Sequence, residues 1–222
     1  MHGSAISDVP PVSAPAPGSS SARPARKVLR HALWLWLPLS LAVISALMIA
    51  HSVSLPVPAH EDPVLTRAML QLRVPGAQPS WLVAHVLYTE CACSRSMLDH
   101  LISRPHPSGV QETLVLAGNN AEMAARARAH GFRVVTIKPE ELRTRFSVVS
   151  VPMLIVDDPE GHVRYAGGYT TSKRGPDPQD LEIIATLQRA SLVAELPVFG
   201  CAVSKELQAE LDPLGLKYSK GR

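Results

Sequence analysis

The sequence predicts an α/β domain, with a central mixed sheet and flanking helices, preceded by one transmembrane helix. Three observations support this fold class. Strand and helix patterns alternate from about residue 62 onward, short connections join them, and a run of 19 uncharged residues precedes them. Alternation of this kind predicts parallel strands with helices packed on the sheet. A length of 222 residues suits one ordinary domain with appendages.

Composition and charge exclude several functional classes. With 46% hydrophobic and 18% charged residues, the chain is not wholly disordered. Its formal charge of +3 comes from the first 31 residues, and the remainder is balanced. Because nucleic acid binding needs a basic patch, no nucleic acid partner is expected. Three cysteines are too few for a disulfide scaffold, and two of them lie one residue apart, which directs attention to redox or metal chemistry.

The uncharged run over 32–50 is close to the length that crosses a hydrocarbon core. Basic residues precede it and none follows before Arg67, so the positive-inside rule predicts a cytoplasmic N-terminus and an extracytoplasmic body. A cleaved signal peptide is the alternative. We expect a disordered tail over 1–31, a linker over 51–60, and attachment to a bacterial inner membrane through 32–50. In either case the cysteines reach an oxidising compartment, the periplasm.

Apolar spacing predicts the first elements of the domain. A helix is expected over 62–72, and a strand over 81–88, whose nearly continuous apolar residues suit burial on both faces. Between Met97 and Ile102 apolar residues recur at spacings of three and four, which predicts a helix over 93–103. A strand over 112–117, an alanine-rich helix and a third strand then complete a βαβαβ unit.

The second half of the domain is predicted from its proline, glycine and turn residues as well as from apolar spacing. A strand is expected over 151–156, with a proline at its start. Proline has no backbone N–H to donate to a neighbouring strand, so it is placed at the beginning or edge of a strand. Turn residues then connect this strand to a hairpin partner. Gly167 and Gly168 indicate close backbone approach or a bulge. The remaining predicted elements, from the alanine-rich helix onward, span 121–130, 132–137, 140–146, 151–156, 162–166, 180–190 and 204–211. The domain is thus expected over 61–190, followed by an extension over 191–222.

This order of elements resembles the thioredoxin-like superfamily over residues 62 to 190. Two features carry the resemblance: the Cys91-Ala92-Cys93 motif between the first strand and its helix, and the Val151-Pro152 step that opens a later hairpin. The resemblance implies that Pro152 is cis and faces the cysteines. A membrane anchor before such a domain is similar to the TlpA/ResA-type proteins, and the Cys-Ala-Cys-Ser motif with a trailing Phe-Gly-Cys-Ala is similar to bacterial proteins labelled RedB. The usual family motif is CxxC, from which this chain departs.

Register favours Cys91 as the attacking cysteine and Cys93 as the resolving one. With Cys91 at the first family position, Met97 and Leu101 face the sheet and Ser94 replaces the second family cysteine; the alternative, Cys93 attacking, would turn Asp99 inward. A thiolate at a helix N-terminus is stabilised by backbone amides and the helix dipole. A disulfide between residues two apart departs from relaxed geometry and is expected to be oxidising.

Three further residues extend the candidate site. Cys201 is either a small buried residue or a third thiol that resolves back to the motif. Glu90 beside Cys91 is either surface charge or a group for proton transfer. Pro152 is expected, from the resemblance, to help place the substrate chain.

The sequence therefore predicts a membrane-anchored extracytoplasmic thiol–disulfide oxidoreductase that needs no cofactor and acts on protein thiols or disulfides. Two alternatives stay open. Cys91, Cys93 and Cys201 could bind and deliver copper to a respiratory or cytochrome enzyme, because thiolates are soft ligands. Alternatively, the domain is a redox-inactive interaction module.

Overall fold

The structure is a computed structural model that describes residues 23–52, 54–173, 177–212 and 218. The chain divides into two compact units, Met1–Ser52 and Val53–Arg222. The second unit contains all three cysteines and begins earlier than the predicted domain boundary at residue 61.

The first unit contributes one described helix, α1 (Arg23–Ser52). This helix includes residues 23–31 of the segment predicted as a disordered tail, where alanine, arginine, lysine and leucine are good helix formers. Residues 1–22 lie outside the described part of the chain. The predicted transmembrane segment over 32–50 falls within α1, although the side chains of 46, 47, 49 and 50 are not described. Among the described residues, no helix combines the length and apolar character needed to cross a membrane.

The second unit contains the remaining elements. In chain order they are α2 (Pro63–Leu72), β1 (Trp81–Tyr88), α3 (Ala92–Ser103), β2 (Val110–Ala117), α4 (Ala121–Ala129), β3 (Arg133–Ile137), α5 (Pro139–Phe146), β4 (Ser150–Val151), β5 (Met153–Asp157), β6 (Val163–Gly167), α6 (Asp180–Gln188), β7 (Cys201–Ala202) and α7 (Lys205–Leu211). The predicted elements are confirmed with ends shifted by at most two residues, except that the strand expected over 151–156 is split at Pro152.

The central sheet is mixed and five-stranded, in the order β3-β2-β1-β5-β6. Strands β1, β2 and β3 are parallel, whereas β5 runs antiparallel to β1 and pairs with β6 as a hairpin. Helices cover both faces, and one apolar core lies on each side. The predicted α/β fold with a central mixed sheet and flanking helices is therefore confirmed. Parallel strands end at the same edge, so the β1–α3 connection that contains Cys91 lies at one edge of the sheet, and Cys93 follows in the first turn of α3.

The segments predicted as linker and extension pack onto this domain. Leu55 forms a bridge with Val198, and the Ser150 hydroxyl donates a hydrogen bond to the Pro56 carbonyl. Further on, β7 pairs antiparallel with β4 as a separate two-stranded sheet. The linker expected over 51–60 is thus part of the folded unit from residue 54 onward. Short two-residue pairings of this kind leave no periodic pattern in a sequence.

Candidate functional site

Cys91 is the N-cap of α3, directly after the end of β1. Its amide donates to the Tyr88 carbonyl at 3.0 Å, and its own carbonyl accepts the first helical bond, from the Arg95 amide at 3.2 Å. Met97 and Leu101 are buried, as the favoured register requires, and Asp99 is exposed. These side chains have the orientations expected when Cys91 starts the helix.

Ser94 holds the first turn of α3 against β1. Its side chain is fully buried, and its hydroxyl accepts a hydrogen bond from the Tyr88 amide at 3.0 Å. Both the amide and the hydroxyl of Ser94 also interact with the Cys91 thiol. Ser94 thus occupies the position where the resemblance implies a second cysteine, and it supplies hydrogen bonds there in place of a thiol.

The three cysteines differ in exposure. Cys91 is only 1% exposed and belongs to the core on one side of the sheet, Cys93 is exposed, and Cys201 is half-buried. The Cys93 side chain is accessible from solvent, whereas Cys91 is covered. This distribution does not suit the attacking role that register favoured for Cys91.

Strand β7 carries Cys201 to Cys91. In the antiparallel pair with β4, Cys201 lies opposite Val151, the residue before Pro152. Gly200 allows this approach: a Cβ at that position would overlap the Val151 carbonyl oxygen and crowd the Pro152 ring. The Val151–Pro152 bond is cis, as the resemblance implied. The structure therefore brings Cys201 from the C-terminal segment to the motif.

Neighbouring groups stabilise the thiolate of Cys91. Hydrogen bonds from Cys201 first and from Cys93 next lower the pKa of the Cys91 thiol far below its ordinary value, and Ser94 adds to the effect. Burial acts in the opposite direction but is outweighed. Hydrogen bonding to the charged form favours it, so the surroundings of Cys91 at the helix N-terminus favour its thiolate form.

Two cavities flank the buried Cys91, and they share no lining residue. One, of about 400 Å³, is lined by Cys93 and Pro152 together with His100, Tyr169 and Phe199. The other, of about 1120 Å³, is lined by several charged side chains, by Tyr88 and by Cys201. The motif cysteine Cys93 and the third cysteine Cys201 therefore face different openings.

Glu90 contacts Tyr88. The Tyr88 hydroxyl donates to the Glu90 carboxylate at 2.8 Å, and both residues line the larger cavity with Cys201. Burial first, and then this carboxylate, raise the pKa of Tyr88 to about 12. The proton-transfer role predicted for Glu90 thus stays a prediction, and its nearest described partner is a hydroxyl.

A buried charge cluster lies behind the smaller cavity, and its connectivity was not foreseen from the sequence. Arg104 binds the Glu112 carboxylate at 2.6 Å and the Asp180 carboxylate at 2.6 Å. His100 Nε2 lies 2.8 Å from the Asp180 carboxylate, and Nε2 of the fully buried His85 lies 3.0 Å from the Glu112 carboxylate. Burial alone would raise the pKa of Glu112, but hydrogen bonds from His85 and Arg104 lower it to about 2. The sequence indicated only that His100 lies near the motif, because seven residues separate it from Cys93, which is two helical turns along the same face.

The described residues include no group of three or more His, Cys, Asp or Glu side chains arranged to hold a metal ion. The copper alternative, which needs Cys91, Cys93 and Cys201 as joint ligands, stays a prediction. Cys91 is buried and has the thiols of the other two cysteines within hydrogen-bonding reach.

No family model matches the chain, and no curated protein matches it significantly. Among solved structures, the chain is similar to an uncharacterized conserved protein from Geobacillus kaustophilus, with 18% identity over 68% of this chain and 90% of that one and a TM-score of 0.46. It is also similar to a hypothetical protein from Sinorhizobium meliloti, with 16% identity over 57% and 80% and a TM-score of 0.41. A third is the thioredoxin domain of a thiol-disulfide oxidoreductase from Bacteroides vulgatus, with 14% identity over 51% and 80% and a TM-score of 0.37.

Proposed function

We propose that this protein is a thioredoxin-like thiol–disulfide oxidoreductase that uses Cys91 and Cys93 to oxidise extracytoplasmic protein thiols. The observation that supports this most directly is the Cys91 thiolate at the N-terminus of α3, hydrogen-bonded by two other cysteines and flanked by an exposed Cys93. A dithiol whose reduced form is stabilised in this way is a good oxidant when it is in the disulfide state.

Burial decides the roles of the two motif cysteines in this proposal. A partner thiolate attacks the exposed Cys93 sulfur of the Cys91–Cys93 disulfide, and Cys91 leaves as a thiolate. A leaving thiol with a low pKa departs faster. The second partner thiolate then attacks the partner sulfur of the mixed disulfide and releases Cys93, which takes up a proton. One partner disulfide forms and one disulfide of this protein is reduced, so two electrons are transferred.

These roles reverse those that register favoured. Position in the motif pointed to Cys91 as the residue that meets the partner, but its side chain is only 1% exposed. Pro152 lies beside Cys93 on the smaller cavity, where it would contact a bound substrate chain.

Replacing Cys91 or Cys93 with serine is expected to abolish catalysed oxidation of a dithiol peptide, because each supplies one sulfur of the exchanging disulfide. The assay follows peptide disulfide formation in the presence of oxidised glutathione. Ser96→Ala is the matched control, since Ser96 lines the same cavity as Cys93 and has no thiol. Full activity in Cys91→Ser and Cys93→Ser would leave the interaction module as the better reading.

We propose in addition that the run over 32–50 anchors the protein in a bacterial inner membrane with its second unit in the periplasm. Support comes from the uncharged sequence, the basic residues before it, and the exposed apolar side chains of α1, among them Trp34 at 76% and Leu35 at 73%.

Membrane fractionation tests this placement. The full chain is expected to sediment with membranes and resist carbonate extraction, and protease added to spheroplasts is expected to degrade the domain. Replacing Leu41 and Ile44 with aspartate should shift the protein to the soluble fraction, since charges in a spanning segment cost about 2.5–3.5 kcal/mol each. Wild-type protein found wholly in the soluble cytoplasm would contradict the proposal.

A further inference from the structure

Cys201 is the cysteine that the proposed reaction leaves without a task. It lies on β7, opposite Val151 in the two-stranded sheet, and packs against the core cluster that contains Cys91. Position 200 requires glycine, because a Cβ there would overlap the Val151 carbonyl oxygen that the backbone approaches. The C-terminal segment therefore fits closely over Cys91 and holds a thiol against it.

Cys91 has two candidate disulfide partners within hydrogen-bonding reach, and they differ in geometry. Cys93 lies two positions along the chain, so a disulfide between Cys91 and Cys93 closes a very small ring and departs from relaxed geometry. Cys201 approaches from a separate strand, so no small ring constrains the pair. Hydrogen bonding from Cys201 also has the larger effect on the Cys91 thiol.

The two candidate partners of Cys91 line different cavities. Cys93 lines the smaller cavity with Pro152, and Cys201 lines the larger one with Tyr88 and Glu90, while Cys91 lines neither. The two thiols can therefore be reached through separate openings.

We infer that Cys201 is the thiol through which the motif is reoxidised, so that the three cysteines form a relay with the buried Cys91 at its centre. This rests on the proposed oxidase function. After the motif has been reduced, the Cys201 thiolate attacks an external disulfide, which is the oxidant, and forms a mixed disulfide while one oxidant sulfur leaves as a thiol. The Cys91 thiolate then attacks the Cys201 sulfur and releases the second oxidant thiol.

The resulting Cys91–Cys201 disulfide passes on to the motif. The Cys93 thiolate attacks the Cys91 sulfur, the Cys91–Cys93 disulfide forms, and Cys201 leaves as a thiolate that takes up the proton lost by Cys93. In the complete cycle one partner dithiol is oxidised and one external disulfide is reduced to two thiols. Electrons therefore enter at Cys93 and leave at Cys201.

The first test maps disulfides in the full chain after treatment with oxidised glutathione. In Cys93→Ser, proteolysis and mass spectrometry should identify a peptide that joins Cys91 to Cys201. Glutathione adducts on separate thiols, with no joined peptide in a variant whose circular dichroism matches wild type, would overturn the inference.

The second test measures reoxidation. Reduced Cys201→Ser is expected to regain the Cys91–Cys93 disulfide at least roughly tenfold more slowly than wild type with the same oxidant, because the thiol that receives the oxidant in the relay has gone. Glu122→Ala is the control, since Glu122 is exposed on α4 and is not among the residues that line either cavity, and its rate should stay within about twofold of wild type. A wild-type rate in Cys201→Ser would overturn the relay.

The two proposals fail separately. If Cys91→Ser and Cys93→Ser lose dithiol oxidation but no Cys91–Cys201 peptide forms, the oxidoreductase stands and the relay does not. If both variants keep dithiol oxidation, the proposed function itself is wrong.

Discussion

Replacing Arg104 with methionine is expected to lower the free energy of unfolding by about 3–5 kcal/mol, the cost of leaving a buried charge without its partner. The Arg104 side chain is 5% exposed, and its guanidinium binds the carboxylates of Glu112 and Asp180, which are 3% and 0% exposed. Methionine fills part of the volume but leaves both acids without this cation. Urea unfolding, followed by circular dichroism, measures the change.

Arg126→Met is the matched control. Arg126 binds Asp99 at 2.7 Å, but both side chains are substantially exposed, at 42% and 61%. An exposed pair contributes about 0–1 kcal/mol, so this variant should unfold close to wild type. Equal losses of stability in the two variants would show that the cluster around Arg104 is solvated and contributes no more than a surface pair.

The same cluster explains where sequence reasoning stopped. Strand β1 was predicted to the residue because its apolar run is covered on both faces, and the start of α3 followed from the spacing of Met97 and Leu101. Arg104, Glu112 and Asp180 belong to a helix end, a strand and another helix, respectively. Ion pairs between such distant residues leave no local pattern, so only the folded chain could reveal them.

The covering of Cys91 has a similar origin. Strand β7 has two residues and no periodicity, and its place beside β4 depends on one glycine. Sequence spacing could identify Cys201 as a candidate third thiol but could not tell which cysteine the C-terminal segment would cover. The motif register was therefore predictable, whereas the exposure of its two sulfurs was not.

Replacing Gly200 with alanine is expected to uncover Cys91. The added Cβ overlaps the Val151 carbonyl oxygen and crowds Pro152, so β7 cannot keep its pairing with β4. Alkylation of Cys91 by N-ethylmaleimide at pH 8 should become at least roughly tenfold faster, which corresponds to about 1.4 kcal/mol of local opening free energy. Mass spectrometry of timed samples gives the rate at Cys91 separately from Cys93 and Cys201.

In Gly200→Ala, the loss of Cys201 from the site should lower the reactivity of Cys91, whereas exposure raises it. Its hydrogen bond lowers the pKa of Cys91, so the uncovered thiol should have a higher pKa and a smaller thiolate fraction. At pH 8 an ordinary thiol, with a pKa of about 8.5, is still roughly one quarter ionised, so exposure outweighs this loss. A pH series of the alkylation rate separates the two effects, because exposure raises the plateau and the lost hydrogen bond shifts the midpoint upward.

Gly76→Ala controls for the general effect of removing a glycine. No atom lies within 4 Å of a Cβ at Gly76, although its φ of +75° makes alanine unfavourable there by about 1–2 kcal/mol. That variant should lose stability without any change in Cys91 alkylation. If Gly200→Ala alkylates Cys91 at the wild-type rate while remaining folded, β7 is not what shields the thiolate, and other parts of the core cluster that contains Cys91 cover its sulfur.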